Sequence, residues 1–170
     1  MLHEDAANLI KPALLHTTGK QNWADLGCGT GTFTVALASC LDRRSRIYAV
    51  DLRKPEIMYQ GIEIDCMAAD FTHPAFELHG LDGILMANSL HYVADRVTFL
   101  EKIKTFFTAD PRFIIIEYDT DIANPWVPYP LSLKSARRLF DVIGCAEISL
   151  LGRYASVYGP EMYAIEVRFA

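Results

Sequence analysis

With 170 residues, 51% of them hydrophobic, the chain has material for one domain with a sizeable core and little left for a second. Its formal net charge of −5 leaves no excess of Lys and Arg to displace counterions, which argues against a protein built to grip nucleic-acid phosphates. The densest basic patch, Arg43, Arg44 and Arg46, reads as a solvated helix end.

The chain begins MLHEDAANLI, with acidic residues where a signal peptide carries positive charge, so no leader is expected. Residues 4–15 form an amphipathic helix with Ala7, Ile10 and Leu14 on one stripe, and Gly19 lies in the polar stretch that stops it. Residues 1–22 are then a helix and lead-in to a single domain over residues 1–170. A short strand, 23–27, runs into a glycine cluster, and a helix follows at 32–41 with Phe33, Leu37 and Leu41 at helical spacing. Residues 46–50 read as a second strand. Residues 55–60 supply at most a short helix, with Pro55 in its first turn. A third strand lies within 62–69 and a fourth at 82–87. A helix spans 95–107, with Val97, Leu100, Ile103, Lys104 and Phe107 at helical intervals. The fifth strand, 112–117, carries Ile114, Ile115 and Ile116. A loop over 118–131 holds Pro125, Pro128 and Pro130. Ser132 caps a helix that runs to about Ile143, where Gly144 stops it. Residues 146–152 and 156–168 form a hairpin.

The alternation of strand and helix up to the fifth strand implies βαβ crossovers and a parallel sheet covered on both faces. The last two strands have no helix between them and must be antiparallel. The expected fold class is therefore α/β: a Rossmann-like three-layer sandwich whose seven-stranded sheet is mostly parallel and ends in an antiparallel hairpin. Every apolar run is strand-sized, short of the roughly 20 residues of a membrane span. Cys28, Cys40, Cys66 and Cys145 form no CxxC pair and have no His at ligand spacing, so neither a metal site nor a disulfide framework is expected. These features suggest a soluble, cytoplasmic protein.

The informative segment is Asp25-Leu26-Gly27-Cys28-Gly29-Thr30-Gly31, a strand entering three alternating glycines before a helix. Glycine permits backbone angles closed to other residues and lets a ligand touch the main chain. The nicotinamide spacing G-x-G-x-x-G is not met: Thr32 stands where the third glycine falls counting from Gly27, and Thr34 counting from Gly29. A P-loop lysine is also missing. Asp25 at the strand end would repel a phosphate but suits an ammonium group. Asp51, ending the second strand, is placed to accept from two ribose hydroxyls. A ligand with an ammonium and a ribose but no phosphate describes S-adenosylmethionine (SAM). The alternative is a plain tight turn with Asp51 as a helix cap.

Those seven residues closely resemble motif I of the class I SAM-dependent methyltransferases. Ile47-Tyr48-Ala49-Val50-Asp51 resembles that family's second strand, Ala69-Asp70-Phe71 its adenine-bordering element, and residues 85–93 its fourth-strand motif, especially in the small-molecule branch. The resemblance implies that Gly27, Gly29 and Gly31, with Cys28 and Thr30 between them, lie against the methionine part of SAM. It places Asp25 near the amino group, directly or through water, and Asp51 on the ribose. It places Asp70 on the adenine amino group, Phe71 and Leu52 beside the ring, and the main-chain carbonyl of Asn88 toward the amino group.

Because the SAM sulfonium is already activated, methyl transfer is an in-line displacement that needs no conspicuous catalytic residue. The candidates are His91, as a base or as a helix-start or core histidine, and Tyr118, Asp119 and Asp121 after the fifth strand, as groups that orient an acceptor or, for the acids, as solvated loop residues. Asn124-Pro125-Trp126-Val127-Pro128-Tyr129-Pro130 reads as one wall or lid of an acceptor pocket suited to flat or apolar molecules, or as a loop packed on the sheet edge. The Asp/Asn-Pro-Pro-Tyr/Phe sequence of nucleic-acid amino-methyltransferases is absent after the fourth strand, where Asn88-Ser89-Leu90-His91 stands. The expected activity is SAM-dependent methyl transfer to a small-molecule acceptor. The short N-terminal segment leaves the acceptor side open to completion by a second copy or a partner chain. The rival readings are a non-catalytic SAM-binding subunit that supports a partner protein, and a nicotinamide-dependent oxidoreductase.

Overall fold

The computed structural model describes residues 1–156 and 159–169. Five strands pair in parallel: Asn22–Leu26 (β1), Arg46–Asp51 (β2), Glu63–Ala68 (β3), Gly83–Ala87 (β4) and Arg112–Tyr118 (β5). Glu147–Tyr154 (β6) and Met162–Arg168 (β7) join antiparallel to them, in the order β3-β2-β1-β4-β5-β7-β6. The chain thus moves outward from β1 to β3 and then returns to β4 on the other side of β1. That reversal is the switch point at which open α/β sheets form a crevice beyond the carboxyl ends of their strands.

Alternate side chains of the sheet enter two cores. On one face Leu26, Met86, Phe113 and Ile115 pack with Phe99, Leu100 and Ile103 of α3 (Arg96–Lys104) and Phe140 of α4 (Leu133–Val142). On the other, Trp23, Leu85, Ile114 and Ile116 pack with Ile10 and Leu14 of α1 (His3–Leu14) and Leu37 of α2 (Thr32–Cys40). Arg112 binds α1 to the sheet. Its Nε donates to Glu166 at 2.6 Å, Nη1 donates to Thr17 Oγ1 at 3.0 Å and Nη2 donates to the Ala13 carbonyl, while its guanidinium lies over Trp23. No described helix is long and apolar enough to cross a membrane.

The expected architecture is the one adopted, with local corrections. Residues 55–60 are not helical. Six residues cannot recover the cost of nucleating a helix, and the segment instead buries Ile57 against Cys28 and Ala49. Helix α3 is shorter than the expected 95–107: Asp95 caps it by accepting from Thr98 N at 3.1 Å, and it ends at Lys104. Its buried stripe is Phe99, Leu100 and Ile103, with Val97 exposed and Phe107 beyond the helix. The last strand begins at Met162 rather than 156, and residues 157 and 158 of that expectation lie outside the described residues.

Gly83 opens β4 directly against the buried Trp23: a Cβ there would stand 2.4 Å from the indole. Gly83→Ala is expected to lower stability by about 1–3 kcal/mol through overpacking, read as a fall in Tm on thermal denaturation. An unchanged Tm would show that Trp23 can move without cost.

Candidate functional site

The glycine loop lies over the switch point because three strand ends are tied together there. The amides of Gly27 and Cys28 both donate to the Val50 carbonyl, at 2.8 and 3.1 Å, and Gly29 N donates to Asp51 Oδ2 at 2.9 Å. Ser89 Oγ, after β4, donates to the Leu26 carbonyl at 2.6 Å. Gly27 and Gly31 have φ of +82° and +86°, closed to most side chains. They are also the positions where the loop has no spare room: a Cβ on Gly27 would meet Ser89 Cβ at 2.5 Å, and one on Gly31 would meet Ile57 at 2.6 Å.

Above the loop lies a cleft of about 390 Å³. It is lined by Asp25, Gly27, Cys28, Gly29, Thr30, Asp51 and Asn88, all expected from the sequence, and by Met1, Thr32, Phe33, Ala87, Tyr92 and Met162. Asp25 is fully buried; Thr34 Oγ1 donates to its Oδ2 at 2.6 Å, and its Oδ1 has no partner. Burial pushes the Asp25 carboxyl up to about 7, with the Thr34 hydroxyl opposing and the Asp51 charge adding to the rise. Asn88 adopts φ +53° and donates through Nδ2 to Met162 Sδ at 3.4 Å, and its Oδ1 is likewise buried and unpartnered. Among the described residues these two oxygens are the buried side-chain N and O atoms without a hydrogen-bond partner, and both belong to this cleft. Both residues line the one cleft, where a ligand carrying hydrogen-bond donors could satisfy these oxygens. Burial, then the nearby Asp25 and Asp51 carboxylates, push the Cys28 thiol up, so it is neutral and no nucleophile.

The other expected residues lie outside this lining. Gly31 forms the N-cap of α2. Leu52 is exposed on the rim. Asp70 Oδ1 accepts from Thr72 N at 2.8 Å and Thr72 Oγ1 at 2.6 Å, which holds the Asp70 carboxyl below its usual range. Phe71 is buried beneath Gly27 and packs on Phe99. His91 is buried; its Nδ1 lies 2.7 Å from Glu117 Oε2 and its backbone N donates to Glu117 Oε1 at 3.1 Å. The His91 ring stands 4.4 Å from that of Tyr92 and 6.5 Å from that of Tyr118.

Thr34, Glu117 and Met162 escaped the sequence reading. Thr34 and Glu117 sit in elements that were read only for apolar periodicity, and Met162 reaches the cleft only because β7 inserts beside β5. Asp119 and Asp121, considered as acceptor-orienting groups, instead brace the start of α4. Asp119 accepts from Leu133 N and Arg153 Nη1, each at 2.9 Å, and Asp121 accepts from the Ser132 and Ser135 hydroxyls at 2.8 and 2.9 Å.

The chain's fold is shared by solved structures of low sequence identity. It superposes with TM-score 0.74 on a 1,6-didemethyltoxoflavin-N1-methyltransferase from Burkholderia thailandensis solved with S-adenosylhomocysteine, at 19% identity, covering 99% of this chain and 78% of that one. A magnesium protoporphyrin IX methyltransferase from Synechocystis with bound SAM gives 0.71 at 14% identity, covering 99% and 80%. A SAM-dependent methyltransferase from Aquifex aeolicus gives 0.65 at 14% identity, over the full length of both chains. No curated protein matches the chain. The sequence profile described as "Methyltransferase domain" matches residues 24–115, from β1 and the glycine loop into β5. That match takes in more than half of the chain, and the protein belongs to the methyltransferase-domain family.

Proposed function

We propose that the chain transfers a methyl group from SAM to a small-molecule acceptor. The observation that carries the cofactor is the pair of orphaned acceptors, Asp25 Oδ1 and Asn88 Oδ1, in a cleft whose floor is main chain. The amino group of SAM would supply the missing donors. The first amides of α2 have no partner within the helix and suit the carboxylate at the same end of the molecule. Asp51 spends Oδ2 on Gly29, while Oδ1 makes only a 3.5 Å contact with Arg53 N, leaving lone pairs for ribose hydroxyls. Asp70 and Phe71 would border the adenine with Leu52.

Bound SAM supplies a methyl on a positively charged sulfur, so that a lone pair of the acceptor displaces a neutral thioether in line. The protein's share is to align the acceptor at the carboxyl ends of β4 and β5, exclude water and receive any proton released. His91, whose Nδ1 lies 2.7 Å from Glu117 Oε2, would be the group to receive that proton. Tyr118, ending β5, would position the acceptor. The small-molecule assignment is favoured by the net charge of −5 and by the substrates named for the Burkholderia and Synechocystis enzymes.

Saturating SAM or S-adenosylhomocysteine, at 100 times its dissociation constant, is expected to add about 2.7 kcal/mol of stability in a thermal-shift assay, with NAD without effect. A shift with NAD and none with SAM would overturn the assignment. Asp51→Ala is expected to weaken S-adenosylhomocysteine binding by about tenfold or more in calorimetric titration, because a bridge to two hydroxyls disappears; equal affinity would remove Asp51 from the ribose.

The Asp25 carboxyl, near 7 in the free protein, must ionise to face an ammonium group. Affinity for S-adenosylhomocysteine should therefore rise by about tenfold from pH 6 to pH 8 and flatten above, with proton release on binding below pH 7. Asp25→Asn should bind weakly and lose this dependence. The raised value has the opposite effect on folding. The ligand-free protein favours protonated Asp25, so it loses stability relative to Asp25→Asn as pH climbs from 4 to 7. The gap should reach roughly 2–4 kcal/mol at pH 8 in denaturant melts. A parallel pH dependence in both proteins would sink the Asp25 argument.

A further inference from the structure

A second cavity, of about 610 Å³, opens at the carboxyl end of β5. Tyr118, Thr120, Asn124, Trp126, Val127, Gly159 and Pro160 line it, and among the described residues no lining residue carries a formal charge. Tyr118 and Thr120 point into the cavity, while Asp119 and Asp121 point the other way and are consumed by α4 and Arg153. The volume lies in the range of small-molecule sites.

Trp126 stands on a fixed support. Asn124 and Val127 exchange backbone hydrogen bonds at 3.1 Å, and Asn124 Oδ1 accepts from Trp126 N at 2.9 Å and Val127 N at 3.0 Å. Pro125 and Pro128 flank the indole, whose residue is nonetheless 80% exposed. An indole held out to water on a rigid turn beside an apolar hollow is a preorganised stacking surface. One strand pair links the cavity to the cofactor cleft. Tyr118 is the cross-strand partner of Met162, and Met162 lines the cleft with its Sδ on Asn88 Nδ2. One side chain, Met162, therefore belongs to the cleft on one side and pairs with the cavity's Tyr118 on the other.

We propose that this cavity seats the methyl acceptor and that the acceptor is a planar, uncharged aromatic or heteroaromatic molecule, stacked on Trp126 beside Tyr118. The assignment rests on the methyl-transfer reading above. An anionic acceptor would find no cation in the lining, and a cationic one would find no carboxylate, since both flanking aspartates are turned away.

Three probes with one ring system and different charges test this: 2-naphthol, 2-naphthoate and protonated 2-naphthylmethylamine. Each is titrated calorimetrically into protein saturated with S-adenosylhomocysteine. The expected order places 2-naphthol about tenfold or more tighter than either charged probe. Trp126→Ala should weaken 2-naphthol by about tenfold or more, and Trp126→Phe should restore most of the loss. Equal binding of a charged probe, no binding of 2-naphthol, or no effect of Trp126→Ala overturns the proposal. Because Trp126 is exposed, Trp126→Ala should retain the thermal shift with S-adenosylhomocysteine. A retained shift with indifferent naphthol binding rejects the pocket alone, whereas no shift in the unaltered protein rejects the cofactor reading beneath it.

Discussion

At the end of the central strand a carboxyl group sits in a place where water does not reach. Asp25 belongs to β1, which has β2 on one side and β4 on the other, so its side chain is enclosed by the sheet, the glycine loop and α2. One oxygen is satisfied by Thr34 and the other by nothing in the protein. A globular domain rarely tolerates such a group, and here it carries a cost to stability at neutral pH; the proposed cofactor would supply the missing partner. The surrounding loop follows from the same demand. Gly27 and Cys28 close on Val50, Gly29 closes on Asp51, and Ser89 closes on Leu26, so the backbone facing the carboxyl is rigid before anything binds.

The neighbouring strand ends are tied to one another by buried polar contacts. Glu117 accepts twice from His91, through the ring and the main chain, which joins the segment after β4 to β5. Arg96 lies close enough to Glu117 for the charges to interact and donates to the carbonyls of Leu90, Tyr129 and Pro130. The 118–131 loop is thus braced from within by an arginine and from α4 by Asp119 and Asp121. Its polar anchors face the protein, and its aromatic and proline residues are left to shape the outer wall.

Much of this was legible in the residues. Continuous apolar runs at 84–87 and 113–116 required a sheet buried on both faces, and the absence of a helix between the last two strands required their antiparallel pairing. The alternating glycines with Asp25 and Asp51 located the cleft, since strand–loop–helix order alone puts them at the carboxyl end of adjacent parallel strands. Asn88 was found for its main chain, whereas its side-chain oxygen is the group left unpaired. Asp70 shows the reverse case: a motif position whose side chain already has local partners in Thr72.

What the sequence by itself determined about this protein was periodicity, punctuation and the order of its motifs, because these depend on near neighbours. Only the tertiary structure decided which groups converge from distant elements. Glu117 and His91 are 26 positions apart, and Asn88 and Met162 are 74 apart. Residue type announces neither pair. The insertion of β7 beside β5 brings Met162 to the cleft, and β4 lying against β5 brings His91 to Glu117. Tertiary structure also set the direction of each acid in the 118–121 stretch, because the chain leaves β5 at Tyr118 and turns there. Asp119 and Asp121 turn to the start of α4 and to Arg153, which leaves an uncharged cavity beside Trp126.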